Sequence, residues 1–144
     1  MKSILIICIG NICRSPMGEA LMARALPEFS VSSAGVGALV GHSADPIAQT
    51  LMGERGLDIG THRARQLTQE LCQNSDLILT MDSDQRRHIE SRYPFTRGKV
   101  FRLGEGKKID IPDPYKLGRA AFDSALGLID SGVQVWADRI SKIK

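Results

Sequence analysis

A cysteine, an arginine and a serine fall in a fixed order near the start of the sequence: Cys8-Ile9-Gly10-Asn11-Ile12-Cys13-Arg14-Ser15-Pro16. Cys8 ends an apolar run, SILIIC, and Pro16 suits the first turn of a helix. A tight loop between a strand and a helix N-terminus turns backbone N–H groups inward as an anion nest, and the helix dipole reinforces it. Gly10 and Asn11 tolerate the left-handed backbone that such a loop needs. Arg14 can grip two phosphate oxygens in a fork. A thiol over the nest is expected to ionise. Ser15 can either donate to the sulfur or cap the helix, and the two jobs compete for one side chain. The chemistry implied is attack by Cys8 on a phosphoryl group held by residues 9–15, with no metal required. Three scattered histidines and no CxxC pair offer no metal cluster. An oxygen-ester leaving group also needs a proton. Asp113, in Ile111-Pro112-Asp113-Pro114-Tyr115, is the candidate acid, held in a loop stiffened by two prolines. Tyr115 could line the pocket and stack on a phenyl ring. The plainer alternative for this stretch is an ordinary turn with a solvated Asp.

These residues need a scaffold that brings them together. Residues 3–8 read as a strand buried on both faces. A helix is predicted over 16–26, a short strand over 31–34, and a helix opened by Asp45-Pro46 that runs to about Arg55 and closes at Gly56. A short helix over 67–72, a strand over 76–81, a polar helix capped by Asp82 or Ser83, and a strand over 99–103 follow. Phe122, Leu126, Ile129, Val133, Trp136, Ile140 and Ile143 form one apolar stripe on a final amphipathic helix, with Trp136 read as core. This alternation predicts an α/β fold: a four-stranded parallel sheet with helices on both faces, a flavodoxin-like three-layer sandwich, for which the order 2-1-3-4 is expected. With strand 1 between strands 2 and 3, the winding reverses beside Cys8, where ligands bind outside the carboxyl ends of the strands.

Length and composition set the frame. One domain over residues 1–144 is expected, with ordinary globular usage of 42% hydrophobic and 24% charged residues. The apolar run at residues 4–9 is too short to span or insert into a membrane and lacks a cleavage site after it. Three cysteines, an odd number, predict a reduced cytoplasmic protein rather than a disulfide framework. The net charge is +3, and residues 86–108 carry eight Lys/Arg against two Asp/Glu. That segment is either a solvated face or a surface for an acidic or phosphorylated partner. Nucleic acid is not expected, because no nucleic-acid-binding motif is present.

CIGNICRSP, SAG at 33–35, HRARQLT at 62–68, DLILTMD at 76–82 and DPY at 113–115 resemble the low-molecular-weight protein-tyrosine phosphatases, in order and over essentially the whole chain. GALVG at 37–41 and Asp45-Pro46 resemble the bacterial branch linked to exopolysaccharide or capsule production, whose substrates are tyrosine autokinases. The resemblance implies a monomer without cofactor that acts on phosphotyrosine proteins. It implies Cys8 as nucleophile, Arg14 as phosphate clamp and Ser15 as the residue assisting the thiol. Asp113 would serve as acid and then base. Asn11, Ser33 and His62 would form a polar network supporting the loop, though without the family His62 reads as a satisfied histidine. Ile12, Leu39 or Val40, and Tyr115 would wall the pocket. Cys13 would form a reversible disulfide with Cys8, or else pack as a thiol under the loop. Cys72 is read as core. Lys116 stands where many eukaryotic members carry a second aromatic, and Leu39 and Val40 stand where they carry tryptophan.

Two other functions compete. An arsenate reductase on this scaffold would need a downstream cysteine pair, and only Cys72 lies downstream. A silent phosphotyrosine-binding module would need neither the thiol nor the acid.

Overall fold

A computed structural model describes residues 1–143. Its centre is β1 (Ser3–Cys8), five of whose six residues are buried. β1 pairs in parallel with β2 (Ser30–Gly35) on one side and β3 (Leu77–Thr80) on the other, and β3 pairs with β4 (Val100–Arg102). The order β2-β1-β3-β4 is the predicted one. Side chains alternate across a strand, so β1 feeds two cores. Ile4, Ile6 and Cys8 pack in one cluster with residues of α1 (Arg14–Ala25), α2 (Pro46–Glu54) and α5 (Arg119–Ile143). Leu5 and Ile7 pack in the other with Cys72 of α3 (Gln69–Gln73) and Ile89 of α4 (Ser83–Arg92).

The element ends differ from the sequence pattern for local reasons. α1 begins at Arg14, two residues before Pro16, and Cys13 at its N-cap makes no side-chain cap bond. Leu67 lies outside α3, because the Thr68 side chain accepts from Leu71 N–H and starts the helix after it. Asp82, not Ser83, caps α4 by accepting from Gln85 N–H. The α5 stripe is buried from Phe122 to Ile140 except at Trp136, while Ile143 is exposed at its end. Trp136 is half-buried; it packs on Phe101, and its indole N–H donates to the Arg102 carbonyl. Among the described residues, no helix is long and apolar enough to cross a membrane.

Three of the eight basic side chains in residues 86–108 are ion-paired by nearby acids. Arg86 pairs with Glu90 and Glu105, Arg87 with Asp84, and Arg102 with Glu105 and Asp110. Lys99 donates to the carbonyls of Cys72 and Ser75.

Candidate active site

The loop after β1 is shaped by where its carbonyls go. Cys8 O accepts from Val36 N–H, Ile9 O from Gly37, Gly10 O from Leu39, and Ile12 O from Asp45; Asn11 O meets His62 Nε2 at 2.6 Å. In a trans peptide the next N–H points opposite to the carbonyl. Five carbonyls tied outward therefore turn the following amides toward the other side. The N–H groups of Gly10, Asn11, Ile12 and Cys13 donate to no group among the described residues. The uncapped first turn of α1 continues this row of donors. Two backbone features permit the loop. Asn11 sits at φ 59°, a left-handed conformation that Asn tolerates. Gly35 is required by close approach: a Cβ there would collide with the Ile9 carbonyl oxygen.

Beneath the loop lies a chain of hydrogen bonds with a fixed direction. Arg65 N–H donates to Asn11 Oδ1 at 2.9 Å, which fixes the amide orientation and makes Nδ2 the donor on the other side. Nδ2 donates to Ser15 Oγ at 2.7 Å and to Ser33 Oγ at 3.0 Å. Ser33 passes its own proton to Glu19 Oε1 at 2.5 Å. Ser15 Oγ, already accepting from Asn11, lies 2.9 Å from Cys8 Sγ, and toward a thiolate its hydroxyl is the donor. The competition for Ser15 is thus resolved in favour of the sulfur, and the helix goes without a side-chain cap.

Arg14 is the largest fully buried side chain, with only 2% of its side chain exposed. Its Nη1 donates to Ile111 O at 2.7 Å and lies 3.7 Å from Asp82 Oδ2, and Nη2 lies 3.8 Å from Asp113 Oδ2. Its Nε is the one buried side-chain nitrogen or oxygen without a partner among the described residues. Asp113 is 42% exposed, and its Oδ1 accepts from Tyr115 N–H at 3.1 Å, which bends the loop.

Cys8, Ile9, Gly10, Ile12, Cys13, Arg14, Gly37, Leu39, Asp113 and Tyr115 line a cleft of about 160 Å³. Val40 is 66% exposed and is not part of this lining. Asn11, Ser15 and Ser33 are buried beneath the cleft and His62 is half-buried behind it. All three cysteines are free and buried. Burial pushes the Cys13 thiol far up, with Asp45, Cys8 and Asp113 adding to the effect against Arg14. Burial also raises the Cys72 thiol, opposed by Lys99. Cys72 belongs to the core on the opposite face of the sheet from Cys8. No three His, Cys, Asp or Glu side chains come together as metal ligands among the described residues.

Four contributors escaped the sequence reading: Glu19, Arg65, Asp82 and the Ile111 carbonyl. Glu19 follows Ser15 by four residues, so helical spacing places both on one face. Asp82 could have been found from its place just beyond the carboxyl end of a strand, on the rim where ligands bind.

The model of the family described as "Low molecular weight phosphotyrosine protein phosphatase" matches residues 3–144. The chain is 53% identical over 140 residues to the probable low molecular weight protein-tyrosine-phosphatase EpsP of Ralstonia solanacearum, spanning 97% of each chain. The structure of Vibrio vulnificus Wzb in complex with benzylphosphonate superposes with a TM-score of 0.93 at 39% identity, over 96% of this chain and 98% of that one. The YwlE arginine phosphatase of Geobacillus stearothermophilus superposes with a TM-score of 0.92 at 32% identity, over 99% of this chain and 94% of that one.

Proposed function

The chain belongs to the low molecular weight phosphotyrosine protein phosphatase family, and from that premise we propose that it hydrolyses phosphotyrosine through a phosphocysteine on Cys8. It is a protein-tyrosine-phosphatase, a cysteine-dependent and metal-independent hydrolase. The proposed unit is a single domain, residues 1–144.

The carrying observation is one cleft holding a sulfur 2.9 Å from the Ser15 hydroxyl beside a buried arginine whose Nε has no partner among the described residues. A phosphoryl group supplies acceptors for that Nε and for the amides of residues 10–13, which are otherwise unsatisfied. In the first step, the Cys8 thiolate attacks phosphorus. The S–P bond forms and the P–O bond to tyrosine breaks. Asp113, in its acid form, gives its proton to the departing phenolate oxygen. In the second step, Asp113 takes a proton from water. The water oxygen attacks phosphorus, the S–P bond breaks, and inorganic phosphate leaves with the Cys8 thiolate restored. Arg14 and the loop amides stabilise the equatorial oxygens in both steps. Ser15 stabilises the sulfur as nucleophile and then as leaving group. Asn11, Ser33 and His62 hold the loop, and Ile12, Leu39 and Tyr115 receive the phenyl ring. Cys13, at the end of the same loop, is the partner for a reversible disulfide with Cys8 under oxidation.

The substrate is a phosphotyrosine protein. The resemblance to the exopolysaccharide branch supports a cytoplasmic role opposite a tyrosine autokinase. Three free cysteines fit a reducing compartment. The apolar walls of Ile12, Leu39 and Tyr115 favour an aryl phosphate over phosphoarginine. A thiol relay of the arsenate-reductase kind lacks a downstream partner, because Cys72 is buried in the other core.

The test is p-nitrophenyl phosphate turnover with EDTA present, in the parent and in Cys8→Ser, with phosphoarginine as comparator. Turnover in the parent alone, faster on the aryl ester, is the expected result. Equal rates in the two proteins, or none in the parent, would reject the mechanism.

A further inference from the structure

Lys116 immediately follows Tyr115 on the rim of the cleft, and three observations single it out. It holds φ 63°, a left-handed backbone that a lysine rarely adopts. Its Nζ lies 5.3 Å from the Tyr115 ring centroid, within cation–π range of a residue lining the cleft. Its ammonium, exposed to solvent, has no hydrogen bond or ion pair to any described residue. By contrast, Arg119, three residues on, is committed to Glu54. A strained backbone thus carries an uncommitted charge beside the aromatic wall of the site.

We infer that Lys116 is a specificity-determining residue that selects phosphotyrosine segments carrying a carboxylate beside the phosphotyrosine. The inference rests on the proposed phosphatase reading and adds the charge of the substrate's flank. An extended peptide advances about 3.3–3.6 Å per residue. With its phosphotyrosine ring against Tyr115, the peptide passes the ammonium within one or two residues. A glutamate or aspartate there pairs with Lys116, and a lysine or arginine is repelled. Because the pair is solvent-exposed, its effect is small and sensitive to salt.

The experiment uses three phosphotyrosine peptides that differ only in the residues on either side of phosphotyrosine: Glu, Gln or Lys. kcat/KM is measured at low ionic strength for the parent, Lys116→Gln, Lys116→Glu and Lys116→Arg. In the parent, the Glu peptide is expected to exceed the Gln peptide about two- to five-fold, with the Lys peptide slowest. The ratio goes to about one in Lys116→Gln, inverts in Lys116→Glu, survives in Lys116→Arg, and shrinks toward one in high salt. Equal ratios in the parent, or the same ratio in all four proteins, would overturn the inference. The same holds if Lys116→Gln slows every substrate alike, p-nitrophenyl phosphate included, since Lys116 would then act only by holding Tyr115. Loss of all turnover in the parent would reject the phosphatase reading and this inference together; intact turnover with equal ratios rejects this inference alone.

Discussion

Replacing Asn11 with Asp keeps the outline of the side chain and reverses half of its hydrogen bonding. A carboxylate still accepts from Arg65 N–H, but it has no proton for Ser15 or Ser33. Ser15 then turns its hydroxyl toward the new carboxylate, and Cys8 loses its donor. A hydrogen bond to a charged group is worth about 1.5–3 kcal/mol, which is about 10- to 150-fold in rate. Ser15→Ala removes the same bond directly. Each single variant should therefore lower kcat/KM for p-nitrophenyl phosphate about 10- to 150-fold, and the double variant should lose little more. That non-additivity is the signature of two residues acting through one bond. Stability falls as well, because Ser33 is left with one proton between Glu19 and a second carboxylate; the cost is about 1–3 kcal/mol. Thermal melts followed by circular dichroism show whether each variant is folded at the assay temperature. Parent-like activity in Asn11→Asp, or losses that multiply in the double variant, would refute the directed chain from Asn11 to the sulfur.

Asp113→Ala should reduce turnover of phenyl phosphates about 10²- to 10⁴-fold; steady-state kinetics with an unchanged rate would mean that another group protonates the leaving oxygen. The buried Cys13 and Cys72 thiols, raised by desolvation, should stay protonated and resist iodoacetamide at neutral pH while Cys8 is alkylated. Peptide mass mapping with equal labelling at Cys13 would contradict this. Backbone N–H groups of Lys2 and Ser3 hold the Asp76 carboxyl below its usual 3.8. Its folded value is lowered, so its contribution to stability is complete above about pH 4 and is lost as pH falls through the folded value. The gap in melting temperature between parent and Asp76→Asn should be constant above pH 5 and close below pH 4; a gap that persists to pH 2 would break the linkage. Gly35→Ala should destabilise the protein and reduce activity together, because the new methyl group displaces the Ile9 carbonyl; a variant with parent melting temperature and rate would show that the loop yields freely.

The parts of the molecule legible in the sequence are those written locally. SILIIC announces a strand buried on both faces, and the seven-residue stripe from Phe122 announces the covering helix. The run from Cys8 to Pro16 carries its chemistry in consecutive positions. Alternation of elements and the handedness of crossovers point to a parallel sheet covered on both faces; they do not by themselves place β1 between β2 and β3. What was not legible depends on distant segments meeting. Arg65 reaches Asn11 from 54 residues away, and Arg14 reaches Ile111 from 97 residues away. The start of α1 was misplaced because Pro16 is a strong local signal, whereas the true start depends on Ser15 turning away from a capping role. Charge counting along residues 86–108 left open a solvated face or a surface for an acidic partner; it cannot see which acids meet which bases, such as Asp84 on Arg87 and Asp110 on Arg102, both from outside the segment. Val40 and Leu39 are indistinguishable as neighbours in a loop, and only Leu39 faces the cleft.

The position of β1 has a consequence for how the protein comes apart. Sulfur hangs from the last residue of the strand that is paired on both edges and covered on both faces. Such a strand has no fraying edge, so its amides exchange with solvent only when the whole sheet opens. The reactive end of the molecule and its most protected backbone therefore form one cooperative unit. Partial openings at α5's end or in the outer loops leave that unit intact. The thiol therefore keeps its place at the floor of the cleft through every opening short of the one that unfolds the sheet.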